Sequence, residues 1–248
     1  MRTNVDEKML LAHIHDLERG AEHGKKPCFS RFLDPKEIAL FKTQGHPKQP
    51  FMLWGGYDDS ERQMLGFFPD YQEPDVAAFP IVALRIVSRE PLGHRTVLGS
   101  VMGLGLERNL IGDVALEKDS AVLFACDSIA DYIKLNLTKA GRAGVKLSDA
   151  PMDSLQLLPR AWEPAIGTVA SLRLDCVLGL LTGVSRSGAD EMLKRELVSL
   201  NHTLCKKGAT TLSVGDVLSV RGFGRAEILE LGGETRKGRM KITLKKYI

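Results

Sequence analysis

Apolar residues recur at helical spacing near the start of the chain. Leu10, Leu11, Ile14 and Leu17 form one stripe of Val5 to Glu22, which predicts an amphipathic helix. Asp34-Pro35, an N-cap followed by a proline in the first turn, predicts the start of a second. Phe51 to Trp54 is a strand candidate closed by Gly55-Gly56, and Pro69 and Pro74 punctuate a loop that sets a boundary near Asp75. The next stretch alternates element types. Phe79 to Val87, Gly112 to Leu116 and Ala121 to Ala125 read as strands; His94 to Leu104 and Ser128 to Leu137 read as helices; Val145 onward returns to extended chain. A polar break is expected at Trp162-Glu163-Pro164. Beyond it, Leu172 to Leu181 reads as a short amphipathic helix ended by Gly183. A second helix starts at Ser185-Arg186-Ser187 and runs to about Leu197, with Ser187 and Asp190 resembling a capping box. Strand-and-turn segments follow at Val198 to Asn201, Lys206 to Leu212, Val214 to Ile228 and Gly238 to Ile248.

This order implies an α+β protein in three parts: a helical and α/β N-terminal unit (1–75), a middle domain (76–165) and a small C-terminal module (171–248). The β-α-β-β-α-β order of the middle domain suggests a ferredoxin-like sandwich, a topology that RNA-recognition domains share with many unrelated proteins and that fixes no function.

Composition narrows the classes. The 248 residues are 44% hydrophobic and 26% charged, ordinary globular make-up. No apolar run approaches the roughly 18 residues of a membrane span, and the N-terminus alternates charged and apolar residues unlike a secretory signal, so the expected location is the cytoplasm. Cys28, Cys126, Cys176 and Cys205 lie far apart with no CxxC pair, and read as reduced thiols rather than a metal or redox site. His13 and His15, two apart, point to different faces of a helix and make no metal pair. Gly99, Gly103 and Gly105 follow a helical stretch and match no nucleotide-loop pattern. Neither metal nor cofactor is expected, nor a small-molecule substrate. Charge is uneven: from Ser171 onward there are 14 Lys+Arg against 8 Asp+Glu, although the whole chain is only +3. A basic C-terminal third points to a polyanion partner.

That third resembles the S-four RNA-binding domain, named after ribosomal small-subunit protein four. The matching residues, over roughly fifty positions, are Arg173-Leu174-Asp175, Ser185-Arg186-Ser187, Ala189, Leu193, Leu197, Val198-Ser199-Leu200-Asn201 and Gly215-Asp216 before the strand Val217 to Arg221. The physics agrees. Arg173 opens the first helix, Arg186 sits at the turn before the second, and Lys194 and Arg195 ride on it. Guanidinium forks match phosphate oxygens, and the free N–H groups at the second helix's start, beside Ser185 and Ser187, add an anion site. Lys206 and Lys207 extend the basic surface. Asp175, repelled by phosphate, is expected to orient Arg173 or to cap. Arg173 could instead simply pair with Asp175 or Asp190, and Arg221 and Arg225 could face the middle unit rather than RNA. Asn201 is expected to be a turn residue rather than a base reader.

Upstream fragments extend the resemblance over nearly the full length. Phe32 to Glu37 (FLDPKE), Gly55 to Arg62 (GGYDDSER), Pro69 to Tyr71, His94 to Val114 and Asn136 to Val145 (NLTKAGRAGV) are similar to the bacterial YlmH family, with Thr96 a departure where an Asp is expected. The resemblance implies a central RNA-recognition-like domain, a C-terminal S-four domain, and a non-catalytic protein that binds ribosomal RNA and tRNA on stalled large ribosomal subunits in ribosome-associated quality control. It also implies a link to a cell-division gene cluster in Gram-positive bacteria. By resemblance, Arg173 and Arg186 carry the ribosomal contact and Lys139 and Arg142 of the middle domain add another; a monomer is expected.

Two other classes stay open. S-four domains are often appended to pseudouridine synthases and methyltransferases; Arg173-Leu174-Asp175 has the letters of a synthase site but belongs to the opening helix, and His94 with Asp113 only imitates an acid/base pair. The third class is a cell-division adaptor whose RNA binding is incidental.

Overall fold

A computed structural model describes residues 2–247, with side chains from Asp6 onward. The chain divides into two compact units, Met1–Leu158 and Pro159–Ile248.

The first unit opens with α1 (Arg2–Gly24), β1 (Cys28–Phe29), α2 (Pro35–Gln44), β2 (Phe51–Trp54) and β3 (Met64–Phe67). It continues through β4 (Ile81–Ser88), α3 (His94–Met102), β5 (Ile111–Leu116), β6 (Ser120–Cys126), α4 (Ala130–Asn136), β7 (Lys139–Ala140) and β8 (Ala143–Asp149). The helix expected at Asp34-Pro35 is α2, where Asp34 caps and Glu37 completes a capping box. Strands β1, β3 and β2 form one antiparallel sheet, and β5-β6-β4-β8-β7 a second.

Both faces of the larger sheet are buried. On one, Leu84, Ile86, Leu123 and Ala125 pack against Val97 and Val101 of α3 and Ile133 of α4. On the other, Ala83, Val122 and Phe124 meet Phe32, Met64, Phe68 and Phe79, and the Tyr57 ring stacks on Phe124 at 4.9 Å. Gly56 permits that stack. Its φ is +103°, and a Cβ there would lie 2.3 Å from the Phe124 ring. Across this junction the buried Asp113 carboxylate accepts from the Tyr57 hydroxyl (3.1 Å) and the Glu61 amide (2.6 Å), tying the loop after β2 to β5.

The second unit contains β9 (Trp162–Val169), α5 (Leu174–Thr182), α6 (Arg186–Lys194), β10 (Val198–Leu200), β11 (Thr203–Leu204), β12 (Val217–Val220), β13 (Gly224–Glu234) and β14 (Met240–Tyr247). The six strands form one antiparallel sheet, β11-β10-β12-β13-β14-β9. Trp162-Glu163-Pro164, expected as a break, instead starts β9, an edge strand, where a proline is tolerated. Leu174, Val177 and Leu178 of α5 and Ala189, Met192 and Leu193 of α6 pack with Leu218, Ala226, Ile228, Ile242 and Leu244 of the sheet.

Candidate nucleic-acid interface

The helix pair is built by its caps. Arg173 is the N-cap of α5, and the helix ends on Gly183 in the left-handed conformation (φ 74°), whose N–H returns to the Gly179 carbonyl. Ser185, not Ser187, caps α6: its hydroxyl accepts from the Gly188 amide at 3.3 Å, and the Ser187 hydroxyl lies 2.9 Å from it. The capping box expected at Ser187–Asp190 does not form: the cap is Ser185, and Gly188 at the third helical position has no side chain to complete a box. The helix starts at Arg186, which leaves Ser187 inside its first turn.

Asp175 organises the cationic side chains. It is 2% exposed, and Arg173 grips it with two hydrogen bonds, Nε to Oδ1 at 3.1 Å and Nη2 to Oδ2 at 2.7 Å. Arg186 Nε approaches the same Oδ2 at 3.3 Å, although the Arg186 side chain is 69% exposed. Asp190 also acts electrostatically on Arg173, and Arg186 presents its outer edge to solvent. The Arg173 hydrogen bond holds the Asp175 carboxyl below the usual carboxylate range, with a further lowering from Arg186.

The segment carrying Lys206 and Lys207 lies along the start of α5. The Asp175 amide donates to the Gly208 carbonyl (3.0 Å) and the Leu174 amide to Thr210 (2.9 Å). A Cβ on Gly208 would sit 3.2 Å from Asp175 Cβ, a tight contact that shows how closely the segment approaches α5. Lys206 pairs with Glu196, and Arg195 with Glu191 at 3.7 Å, both in exposed positions. Lys194 and Lys207 are exposed. Arg221 is tied by its backbone to the residue before β10, its amide donating to the Leu197 carbonyl at 2.9 Å.

Not every candidate joins this cluster. Arg225 stands on the opposite face of the sheet, its guanidinium 5.3 Å from the Tyr247 ring centre. Asn201 is a turn residue, as expected: its side chain holds Asp216 (2.8 Å) and the Val217 amide (2.9 Å). Lys139 and Arg142 lie in the first unit, exposed on the β7–β8 hairpin, which is braced where the Gly141 amide donates to Ser100 Oγ at 2.9 Å.

The imitation pair resolves into structure. Asp113 is engaged by Tyr57 and Glu61, and burial raises its pKa; burial likewise lowers that of His94, the first residue of α3. Among the described residues no group of His, Cys, Asp and Glu could hold a metal ion, and no helix is long and apolar enough to cross a membrane. Sequence reasoning missed Trp162, Lys245 and Tyr247. For Lys245 and Tyr247 the signal was the alternation along β14, where Ile242 and Leu244 turn inward; Trp162 is placed only by the pairing of β9 with β14.

These features define a mixed α/β protein of antiparallel sheets with a basic helix pair in its second unit. The resemblance to the YlmH family is borne out. Residues 77–154 match the family model described as "Putative RNA-binding domain in YlmH". A Bacillus subtilis protein named "Ribosome-associated protein quality control protein P2" is 29% identical over 245 residues, covering 97% of this chain and 95% of its own. A solved structure, "Cell division protein ylmH from Streptococcus pneumoniae", is 25% identical with a TM-score of 0.49, covering 60% of this chain and 93% of its own.

Proposed function

We propose that the protein is a non-catalytic, cytoplasmic RNA-binding protein that grips structured RNA, the ribosomal RNA and tRNA of the large subunit, through an S-four-type helix pair, and acts in ribosome-associated quality control. The observation that carries the reading is the Arg173–Asp175–Arg186 cluster, which joins the starts of α5 and α6. A buried carboxylate pre-orients two guanidiniums, and Arg186 keeps its outer N–H groups free for phosphate oxygens beside the open amides of a helix N-terminus. Pre-orientation lowers the entropy lost on binding. The names of the Bacillus subtilis relative and of the matched domain support the same reading. Asp175 is occupied by two arginines, which suits an anchor better than the nucleophile of a modifying enzyme.

The middle domain contributes differently. Numbered within the domain, its main strands run 2-3-1-4 (β5, β6, β4, β8), all antiparallel, which supports a ferredoxin-like sandwich. RNA-recognition domains stack bases on the open sheet face. Here that face lies under Phe32, Phe68 and Tyr57, so RNA contact falls to the hairpin bearing Lys139 and Arg142.

The test is co-sedimentation with bacterial ribosomal particles on a gradient at two salt concentrations. Wild type is expected to travel with large subunits and Arg186→Ala to stay at the top, with a salt slope lower by about one in free RNA binding. Failure of wild type to co-sediment, with structured RNA still bound, would sink the ribosomal assignment.

A further inference from the structure

The outer face of the second unit's sheet carries an arrangement that the helix pair does not use. Trp162 of β9, Tyr247 of β14 and Arg225 of β13 stand opposite one another in register across three adjacent strands, spaced about 4.8 Å apart. Ile242 and Leu244 face the core. The period of two therefore turns Lys241, Thr243, Lys245 and Tyr247 outward, beside their partners Thr168, Ile166, Pro164 and Trp162. The Lys245 ammonium sits 5.6 Å from the Trp162 ring centre and 5.2 Å from that of Tyr247; the Arg225 guanidinium lies 5.3 Å from Tyr247. Glu227 accepts the Tyr247 hydroxyl at 2.8 Å, which fixes the ring. Trp162 is 45% exposed.

Nothing in the fold of this unit needs these rings: its core lies on the other face. An exposed tryptophan beside a tyrosine, with lysine and arginine over their rings, is a surface with two complementary properties. The flat rings accept another π-face, and the cations accept phosphate. Single-stranded RNA presents both at once, unstacked bases on a polyanionic backbone, and antiparallel sheets with aromatics on neighbouring strands are a recurrent platform for it. An apolar protein partner fits less well, because it would have to desolvate Arg225, Lys241 and Lys245 without neutralising them.

We propose that this face binds a single-stranded RNA segment, with bases stacked on Trp162 and Tyr247 and phosphates on Lys245, Lys241 and Arg225. The proposal rests on the RNA-binding reading above but uses the face of the sheet opposite the Arg173–Arg186 cluster.

The test titrates the full chain with a short unpaired oligouridylate and follows tryptophan fluorescence. The chain has 2 tryptophans; Trp54 stays in every variant as an internal reporter of folding. Stacking on Trp162 is expected to quench emission. Trp162→Leu should abolish the quench and weaken binding about tenfold, and Lys245→Glu should weaken binding comparably with the fold intact. Arg186→Glu, which leaves the Arg173–Asp175 pair in place, should keep the oligouridylate quench while losing large-subunit co-sedimentation. Absence of a quench in wild type, or a quench indifferent to Lys245→Glu, overturns the platform. If oligouridylate fails while Arg186-dependent co-sedimentation persists, the platform is wrong and the helix-pair reading stands. If the quench persists without any co-sedimentation, the platform stands alone.

Discussion

Asp175 is where a single side chain decides most. Its carboxylate is buried, yet both oxygens are answered by arginines that remain partly in water, so the pair avoids most of the desolvation that makes fully buried ion pairs poor stabilisers. Asp175→Ala removes the shared anchor. The expected loss is about 2 kcal/mol in urea unfolding, together with weaker RNA binding because Arg186 loses its orientation. The pH dependence has a definite sign. The carboxyl lies below its ordinary value of 3.8 in the folded state, chiefly through the Arg173 hydrogen bond. The stability it provides is therefore complete above that value and drains away as pH falls through the lower folded pKa. Acid unfolding of Asp175→Asn should be less steep than wild type below pH 3.8. This cluster was legible in the letters Arg173-Leu174-Asp175 and Arg186, because both arginines sit at helix starts that caps announce. Arg225 was not: adjacency to Tyr247 arises only when β13 and β14 pair, and no local spacing encodes that register.

Elements announced by caps and periodicity came through well, and those made by tertiary pairing did not. Asp34 before α2 and Gly183 after α5 are local signals that the fold uses as read. Strand β9 was hidden because Glu163 and Pro164 look like punctuation; only an edge position beside β14 makes them tolerable. β3, four wholly buried residues, shows no alternation because both its faces are covered. The segment after β8 is likewise held by one distant side chain. Glu117 accepts a two-pronged contact from Arg85 of β4 (2.8 and 3.1 Å), a bond from Ser120 (2.6 Å) and the Gln156 amide (3.0 Å). The Arg85 hydrogen bond foremost pulls its pKa down to about 2 from 4.5. Its stabilisation is full above 4.5 and is lost as pH falls towards about 2, on the order of 2 kcal/mol once solvent screening of the pair is allowed for. Glu117→Gln should therefore lower the melting temperature at neutral pH and bring it close to wild type near pH 2, and amide exchange at Gln156 and Leu158 should quicken.

At the scale of the molecule, each unit has its own core, and the two treat their sheets oppositely. In the first, helices cover one face of the five-stranded sheet and the N-terminal aromatics cover the other. In the second, helices cover one face and the other keeps Trp162 and Ile166 exposed, the latter at 74%. The occlusion in the first unit had no signature along the chain, since Phe32, Tyr57 and Phe68 are scattered loop residues that meet Phe124 only through the fold. The asymmetry has a consequence for where RNA is held. If the helix pair and the outer sheet face supply the grip, a chain limited to residues 159–248 carries both surfaces and its full core. Its core contains apolar residues from both helices and five of the six strands, from Val169 to Leu244, enough for a domain of this size to melt cooperatively. It should show a single thermal transition and bind structured RNA with nearly the salt slope of the full chain, because the slope counts phosphate contacts and these lie within it. Residues 1–158, with only the Lys139–Arg142 hairpin as a candidate contact, should bind at least tenfold more weakly at the same salt. Equal affinity of the two halves in filter binding would move the principal RNA contact to the first unit, and with it the role given to Arg173 and Arg186.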